Sequence, residues 1–163
     1  MPAASAAVTL ETTLHVRDTC LCLHAQRAAR ALARRFDDAL RPAGLTNTQF
    51  SLLNALNGPR PPTQGAVAAL LGADRTTLTA ALKPLVRLGL AKIDPDADDG
   101  RVRHAGLTAE GRARLAAALP LWTRAHAALE AELDVADTGR LRRDLDALAA
   151  PNGGITKDGS SHP

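Results

Sequence analysis

The chain has 163 residues, 45% of them hydrophobic, which suits one compact domain. Only 2% are aromatic and there is no tyrosine, which argues against a single-stranded nucleic-acid binder that stacks bases on aromatic platforms. The formal net charge of +3 is a mild excess, so basic character must be concentrated locally to matter for a polyanionic partner.

Residues 1–11 are alanine-rich without a partner face, and residues 151–163 are rich in Gly, Ser, Asp and Pro; both ends are expected to be disordered. Met1 to Thr13 lacks a basic start and a sustained apolar run, and no stretch reaches the ~20 apolar residues of a membrane helix, so a cytoplasmic protein is expected. From Thr12 to Arg41 the pattern reads as one long helix, with Leu21, Ala25, Ala28, Leu32, Phe36 and Ala39 as its apolar stripe. Arg27, Arg30, Arg34, Asp37 and Arg41 fall opposite the stripe, as a solvated face or as flanking phosphate contacts. Pro42 and Gly44 end this helix, and Thr46 caps the next, which turns Phe50, Leu53 and Leu56 inward.

Two cysteines, Cys20 and Cys22, fall within the first helical pattern. Two positions apart on a helix means about 200° of rotation, so an intrahelical disulfide is disfavoured and reduced thiols are the plain reading. Cys20 and His24 stand one helical turn apart and could share a metal ion only with further ligands, for example His104; no metal site or cofactor is assigned.

Thr63 is placed to cap a short helix, Gln64 to Leu71, that stops at Gly72. Asp74 then caps a second helix, Arg75 to about Leu88, whose Leu78, Ala81, Leu82 and Leu85 share the inward face. Thr76, Ala80, Lys83 and Arg87 point the other way, with Thr79 beside them. This mixture of hydroxyls, methyls and cations suits base edges and phosphates in a major groove. Pro84 predicts a kink, or an end before Leu88. Gly89 closes the helix, Leu90 to Asp94 alternates as a strand, the run from Asp94 to Gly100 is a turn, and Arg101 to Leu107 forms the returning strand. Arg101 and Arg103 then project to one side of that strand, placed for a minor groove or phosphate. Thr108 caps a long helix carrying Leu115, Leu119, Trp122, Leu129 and Leu133, with a kink expected at Pro120. Asp137 caps a last helix with Leu141, Leu145 and Leu148 on one side, and Arg140, Arg142 and Arg143 as solvated charges or edge pairs.

Helix, turn, helix and hairpin make a winged helix, and the chain resembles the MarR family of dimeric bacterial regulators. The resemblance runs from about Asp18 to Ala149 and rests on several segments in order. They are Gly44-Leu45-Thr46 with Gln49-Phe50, Asp74-Arg75-Thr76-Thr77-Leu78-Thr79, Leu88-Gly89-Leu90, and Asp99-Gly100-Arg101 followed by Leu107-Thr108-Ala109-Glu110-Gly111. It implies a mainly α fold with a small β-hairpin wing. Residues 12–45 would be an N-terminal dimerisation helix, 46–107 a winged helix-turn-helix lobe and 108–150 C-terminal dimerisation helices.

The resemblance also implies a homodimer on a pseudo-palindromic double-stranded operator, with repression the expected mode. Thr63, Gln64, Arg75, Thr76, Thr79, Lys83, Arg87, Arg101 and Arg103 are the DNA-contact candidates. The family's commoner effector is a small aromatic acid, for which Arg17, His24 and Phe36 are candidate lining residues. Counted back from Thr46, Cys22 falls where the organic-hydroperoxide-sensing branch carries its reactive cysteine; that branch surrounds the thiol with tyrosines, and here the positions hold Gln26, Phe36 and Asn47. Cys22 and Cys20 are therefore redox candidates without that activating shell. A winged helix that docks on protein is the competing reading, supported by the acidic turn Asp94 to Asp99. An enzyme is not expected, because no nucleophile-base pair, phosphate-cradling loop or spaced carboxylate pair stands out.

Overall fold

The computed structural model describes residues 8–133 and 137–150. Of the ends expected to be disordered, residues 1–7 and the tail from 151 onward lie outside them, whereas Leu10 and Glu11, within the expected 1–11 stretch, already belong to the first helix. Among the described residues, seven α-helices, a single 3-10 turn at Arg41–Ala43 and one hairpin follow in chain order: α1 Leu10–Thr19, α2 Leu21–Leu40, α3 Asn47–Leu56, α4 Gln64–Leu70, α5 Arg75–Arg87, β1 Ala91–Pro95, β2 Arg103–Leu107, α6 Ala109–Glu132 and α7 Thr138–Ala149. The architecture is the mainly helical winged helix-turn-helix expected.

The expected single helix from Thr12 to Arg41 is two helices. α1 starts at Leu10, capped by Thr9, and ends at Thr19; Cys20, in extended backbone at φ −72° and ψ 102°, separates it from α2. The cause is local competition for backbone groups. The Thr19 hydroxyl donates to the His15 carbonyl at 2.7 Å, while the Cys20 sulfur accepts the Leu23 amide at 3.4 Å and so caps a new helix. α1 buries no residue, so no packing opposes the break.

The core forms where α2, α3, α5, the hairpin and α6 meet, around Leu40, Leu53, Leu82, Leu85, Leu90 and Ala105, all with 0% exposure. Phe36 stacks on Trp122 with ring centroids 6.5 Å apart, and Phe50 stacks on the same indole at 6.0 Å. The lower part of the apolar stripe on α2 thus faces α6 as patterned, whereas Leu21 and Leu32 stay exposed. Arg35 holds the far end of α6 through a two-pronged pair with Glu132 at 2.5 and 2.6 Å. Arg142 reaches Glu130 at 2.8 Å, Arg143 reaches Asp137 at 3.2 Å and Arg140 approaches Asp144 at 3.8 Å, so these three arginines pair within the protomer.

Helix starts follow the caps in the sequence. Thr46 and Gln49 form a reciprocal capping box, and Thr108 and Asp137 accept the amides of Gly111 and Arg140. Pro84 lies inside α5, which ends at Arg87 with Leu88 as C-cap, and Pro120 lies inside α6. α6 crosses so close to the start of the wing that a Cβ on Gly111 would stand 1.9 Å from the Leu90 carbonyl oxygen.

Candidate nucleic-acid interface

Two short helices set the interface. α4 starts at Thr63, whose hydroxyl accepts the Ala66 amide at 3.1 Å, and buries Val67 and Ala68. Gly72 then adopts φ +61°, a conformation that favours glycine, and the chain turns into α5. Asp74 caps α5 with both oxygens, accepting the Thr77 amide at 2.7 Å and the Thr77 hydroxyl at 2.8 Å. These bonds, the amide first, hold its carboxyl below the usual range. Leu78, Leu82 and Leu85 are buried, which fixes the opposite face: Thr76, Thr79, Ala80, Lys83 and Arg87 point away from the core.

The wing is anchored beside these helices. β1 and β2 pair antiparallel from Ala91↔Leu107 to Pro95↔Arg103, and the Ala105 amide donates to the Pro62 carbonyl at 3.0 Å, so the segment leading into α4 lies along β2 as a third edge. β2 begins at Arg103, not at Arg101 as expected. Val102 closes the turn by bonding Asp99 and Asp96, and Asp99 accepts the Arg101 amide at 3.0 Å. Arg101 therefore stands on the turn, and the two arginines do not share a strand.

They nevertheless share a cleft. Thr63, Gln64, Arg75, Thr79, Arg101 and Arg103 line one concavity of about 240 Å³ between the start of α4, α5 and the wing. A neighbouring hollow of about 300 Å³ takes in Arg75, Thr76, Thr79, Ala80 and Lys83. Eight of the nine residues singled out from the sequence thus border one continuous stretch of surface, and Arg87 stands apart at the end of α5. Among the described residues, Arg75, Lys83, Arg87, Arg101 and Arg103 enter no ion pair. The Thr79 hydroxyl donates to the Arg75 carbonyl at 2.7 Å, which leaves its methyl and an acceptor lone pair for a partner.

The acidic turn that spoke for protein docking is largely engaged within the wing. Asp94 pairs with Lys92 at 2.8 Å, Asp96 with His104 at 2.8 Å, and Asp99 binds the Arg101 amide. The His104 bond, followed by the amides of Asp98 and Asp99, lowers the Asp96 carboxyl to about 2.

The other candidates do not come together. Phe36 is buried in the aromatic core, Arg17 is paired with Asp18 at 2.6 Å, and His24 lies twelve positions from Phe36, roughly 18 Å along the helix. These three do not form an effector pocket within the protomer. His24 turns toward the Asp18 carbonyl at 3.3 Å, and His104 is used in the wing. No cluster of three or more metal-ligating side chains occurs among the described residues. Cys22 is exposed and receives a bond from the Gln26 amide at 3.3 Å, while Cys20 is half-buried at the α1–α2 junction. The divergence argued for the cysteines assumed one continuous helix, and the break at Cys20 removes that premise.

A larger cleft of about 400 Å³ opens between α3, the end of α4 and α6, lined by residues that include Phe50, Asn54, Leu71, Leu119 and Trp122. The sequence signal for it was Trp122, which the apolar pattern assigns only to a helix face.

Fold and surface together define a winged helix-turn-helix regulator. A model of the MarR family matches residues 43–102. The Mycobacterium tuberculosis transcriptional regulator MosR, solved in complex with DNA, is 44% identical over 80% of this chain and 93% of its own, with a TM-score of 0.73. The PcaV transcriptional regulator from Streptomyces coelicolor, solved with its natural ligand, is 27% identical over 89% of this chain and 96% of its own, with a TM-score of 0.71. The transcriptional repressor CouR bound to a 23-mer DNA duplex is 31% identical over 83% of this chain and 94% of its own, with a TM-score of 0.65. No match to the chain is found among curated proteins. The chain belongs to the MarR family of transcriptional regulators.

Proposed function

We propose that this protein is a homodimeric repressor that binds a pseudo-palindromic DNA operator, with affinity tuned by a small aromatic acid or by thiol oxidation. The observation that carries the reading is the surface from Thr63 through α5 to Arg103, where five cations enter no ion pair among the described residues. Such a surface has phosphate as its natural partner, and α5 has the groove-facing chemistry described above. Thr76 and Lys83 are assigned to base edges or adjacent phosphates, Thr63 and Gln64 to the backbone, and Arg101 with Arg103 to the wing contact. Arg75 and Thr79 join the two sides, and Arg87 serves flanking phosphate.

Dimerisation is supported by apolar surface with no partner in the protomer. Leu10, Val16 and Leu21 near the start of the chain are 73%, 53% and 71% exposed, and Leu145 and Leu148 on α7 are 49% and 65% exposed. Residues 12–45 and 108–150 are thus assigned to the dimer and 46–107 to DNA. No helix among the described residues is long and apolar enough to cross a membrane, in keeping with a cytoplasmic regulator. The cleft walled by Phe50 and Trp122 is the effector site we assign, since an aromatic ring there would bear on the end of α4, one turn before the DNA-facing helix.

Fluorescence anisotropy with labelled duplexes tiling the DNA upstream of its own gene tests the proposal. One duplex should bind far more tightly than a scrambled control, and uniform weak binding would refute it. Repeating the titration with aromatic acids and with peroxide, in wild type and Cys22→Ser, separates the two modes of control. A peroxide response that survives Cys22→Ser removes that thiol.

A further inference from the structure

His104 is not among the DNA contacts assigned above, and both of its ring nitrogens face oxygen acceptors. Nδ1 is 2.9 Å from the Pro61 carbonyl and Nε2 is 2.8 Å from an Asp96 carboxylate oxygen. A carbonyl and an ionised carboxylate only accept, so both nitrogens must bring a hydrogen, and the ring that satisfies this geometry is the imidazolium. Neutral imidazole, with one N–H, satisfies one partner and leaves the other facing a lone pair. The two partners come from different parts of the chain. Pro61 lies two residues before the cap of α4, and Asp96 organises the wing turn by accepting the amides of Asp98 and Asp99 at 2.9 and 3.0 Å. The main chain of His104 also bridges to Thr63, and the Ala105 amide holds Pro62. One side chain therefore ties the wing turn, β2 and the segment leading into α4, the three segments that set where Arg101 and Arg103 stand relative to α5.

We propose that His104 is a positioning residue for DNA binding: as the imidazolium it clamps the wing against the start of α4, and loss of its proton loosens the wing arginines and weakens operator affinity. This rests on the DNA-binding function proposed above. The groups around the ring are few. Asp96 lies on the turn, Asp94 is the cross-strand neighbour and is already paired with Lys92, Arg103 is adjacent on β2, and Arg60 precedes Pro61 on the third segment. The Asp96 bond, followed by the Pro61 bond, raises the His104 pKa above its ordinary 6.5. The clamp is therefore complete below 6.5 and is lost as pH rises through the raised value. On the acid side it is complete above the ordinary carboxylate value of 3.8 and is lost as Asp96 titrates near 2.

Operator affinity of the full chain is measured by anisotropy from pH 6 to pH 9 at constant ionic strength, alongside ring ¹⁵N and proton NMR of His104. Wild-type affinity should fall roughly three- to ten-fold on the alkaline side, the equivalent of one ordinary net hydrogen bond. His104→Gln, which cannot titrate, should be weak and flat over the same range. Asp96→Asn supplies an amide that donates to neutral Nε2 and still accepts the turn amides, so it should restore tight binding at high pH. Identical pH profiles for wild type and His104→Gln overturn the positioning role. A His104 ring that titrates at or below 6.5 overturns the clamp itself. Absence of DNA binding at every pH, with the ring doubly protonated, refutes the DNA-binding function and the positioning role with it.

Discussion

Gly111 offers a case in which two physical effects of one substitution have opposite signs. Gly111→Ala in the first turn of α6 should stabilise by ~0.5–1 kcal/mol on helix propensity alone, since glycine loses more backbone freedom than alanine. The packing says otherwise. The added Cβ would stand 1.9 Å from the Leu90 carbonyl oxygen and 2.9 Å from its carbon, far inside the roughly 3.5 Å at which such atoms settle, so α6 must retreat by more than about 1 Å. Neither side yields easily. The Leu90 carbonyl accepts the Thr108 amide at 3.2 Å, the Thr108 hydroxyl donates to the Gly89 carbonyl at 2.6 Å, and the Leu90 side chain is fully buried. Overpacking against a fixed backbone costs about 3 kcal/mol, at the top of the ordinary range, so the net destabilisation is about 2 kcal/mol. In a chain of this size that lowers the melting temperature by roughly 4–8 °C. Thermal unfolding followed by circular dichroism gives the answer, and a variant that melts at or above wild type would refute the packing argument.

Arg101→Ala should weaken operator binding and reduce the slope of log affinity against log salt by about 0.9 for each phosphate the arginine no longer neutralises; an unchanged slope and affinity in a mobility-shift titration removes Arg101 from the interface. Trp122 is the chain's only tryptophan and borders the apolar cleft, so a bound aromatic acid should quench its fluorescence in a saturable way. Leu71→Phe, which narrows the cleft and adds no second indole, should block that response without unfolding the protein, and a response that persists would move the site elsewhere.

The parts of the fold legible in the sequence are those written in local chemistry. Thr46, Thr63, Asp74, Thr108 and Asp137 each cap the helix that follows them, because a side-chain oxygen and an amide three residues on need nothing else from the protein. The outward face of α5 followed from its leucines for the same reason. The break at Cys20 escaped because hydrophobic periodicity continues across it, while the bonds made by Thr19 and Cys20 compete with the helix at one point. Arg101 was read into a strand because alternation does not show where a turn closes. His104 escaped for a different reason: Pro61, its partner, is 43 residues away and offers only a backbone carbonyl, which no residue pattern records. Phe36 was legible as apolar, but whether an apolar residue lines a ligand cleft or fills the core depends on what α6 places opposite it, here Trp122.

Hydroxyl-radical footprinting of the protein on its tightest-binding duplex tests the central claim most directly. Two copies of α5 entering successive major grooves, with wings outside them, should leave two protected blocks centred roughly 10 base pairs apart with flanking protection beyond each, and Lys83→Ala with Arg101→Ala should erase the pattern. A single block, or the full pattern undiminished in that double variant, would contradict it.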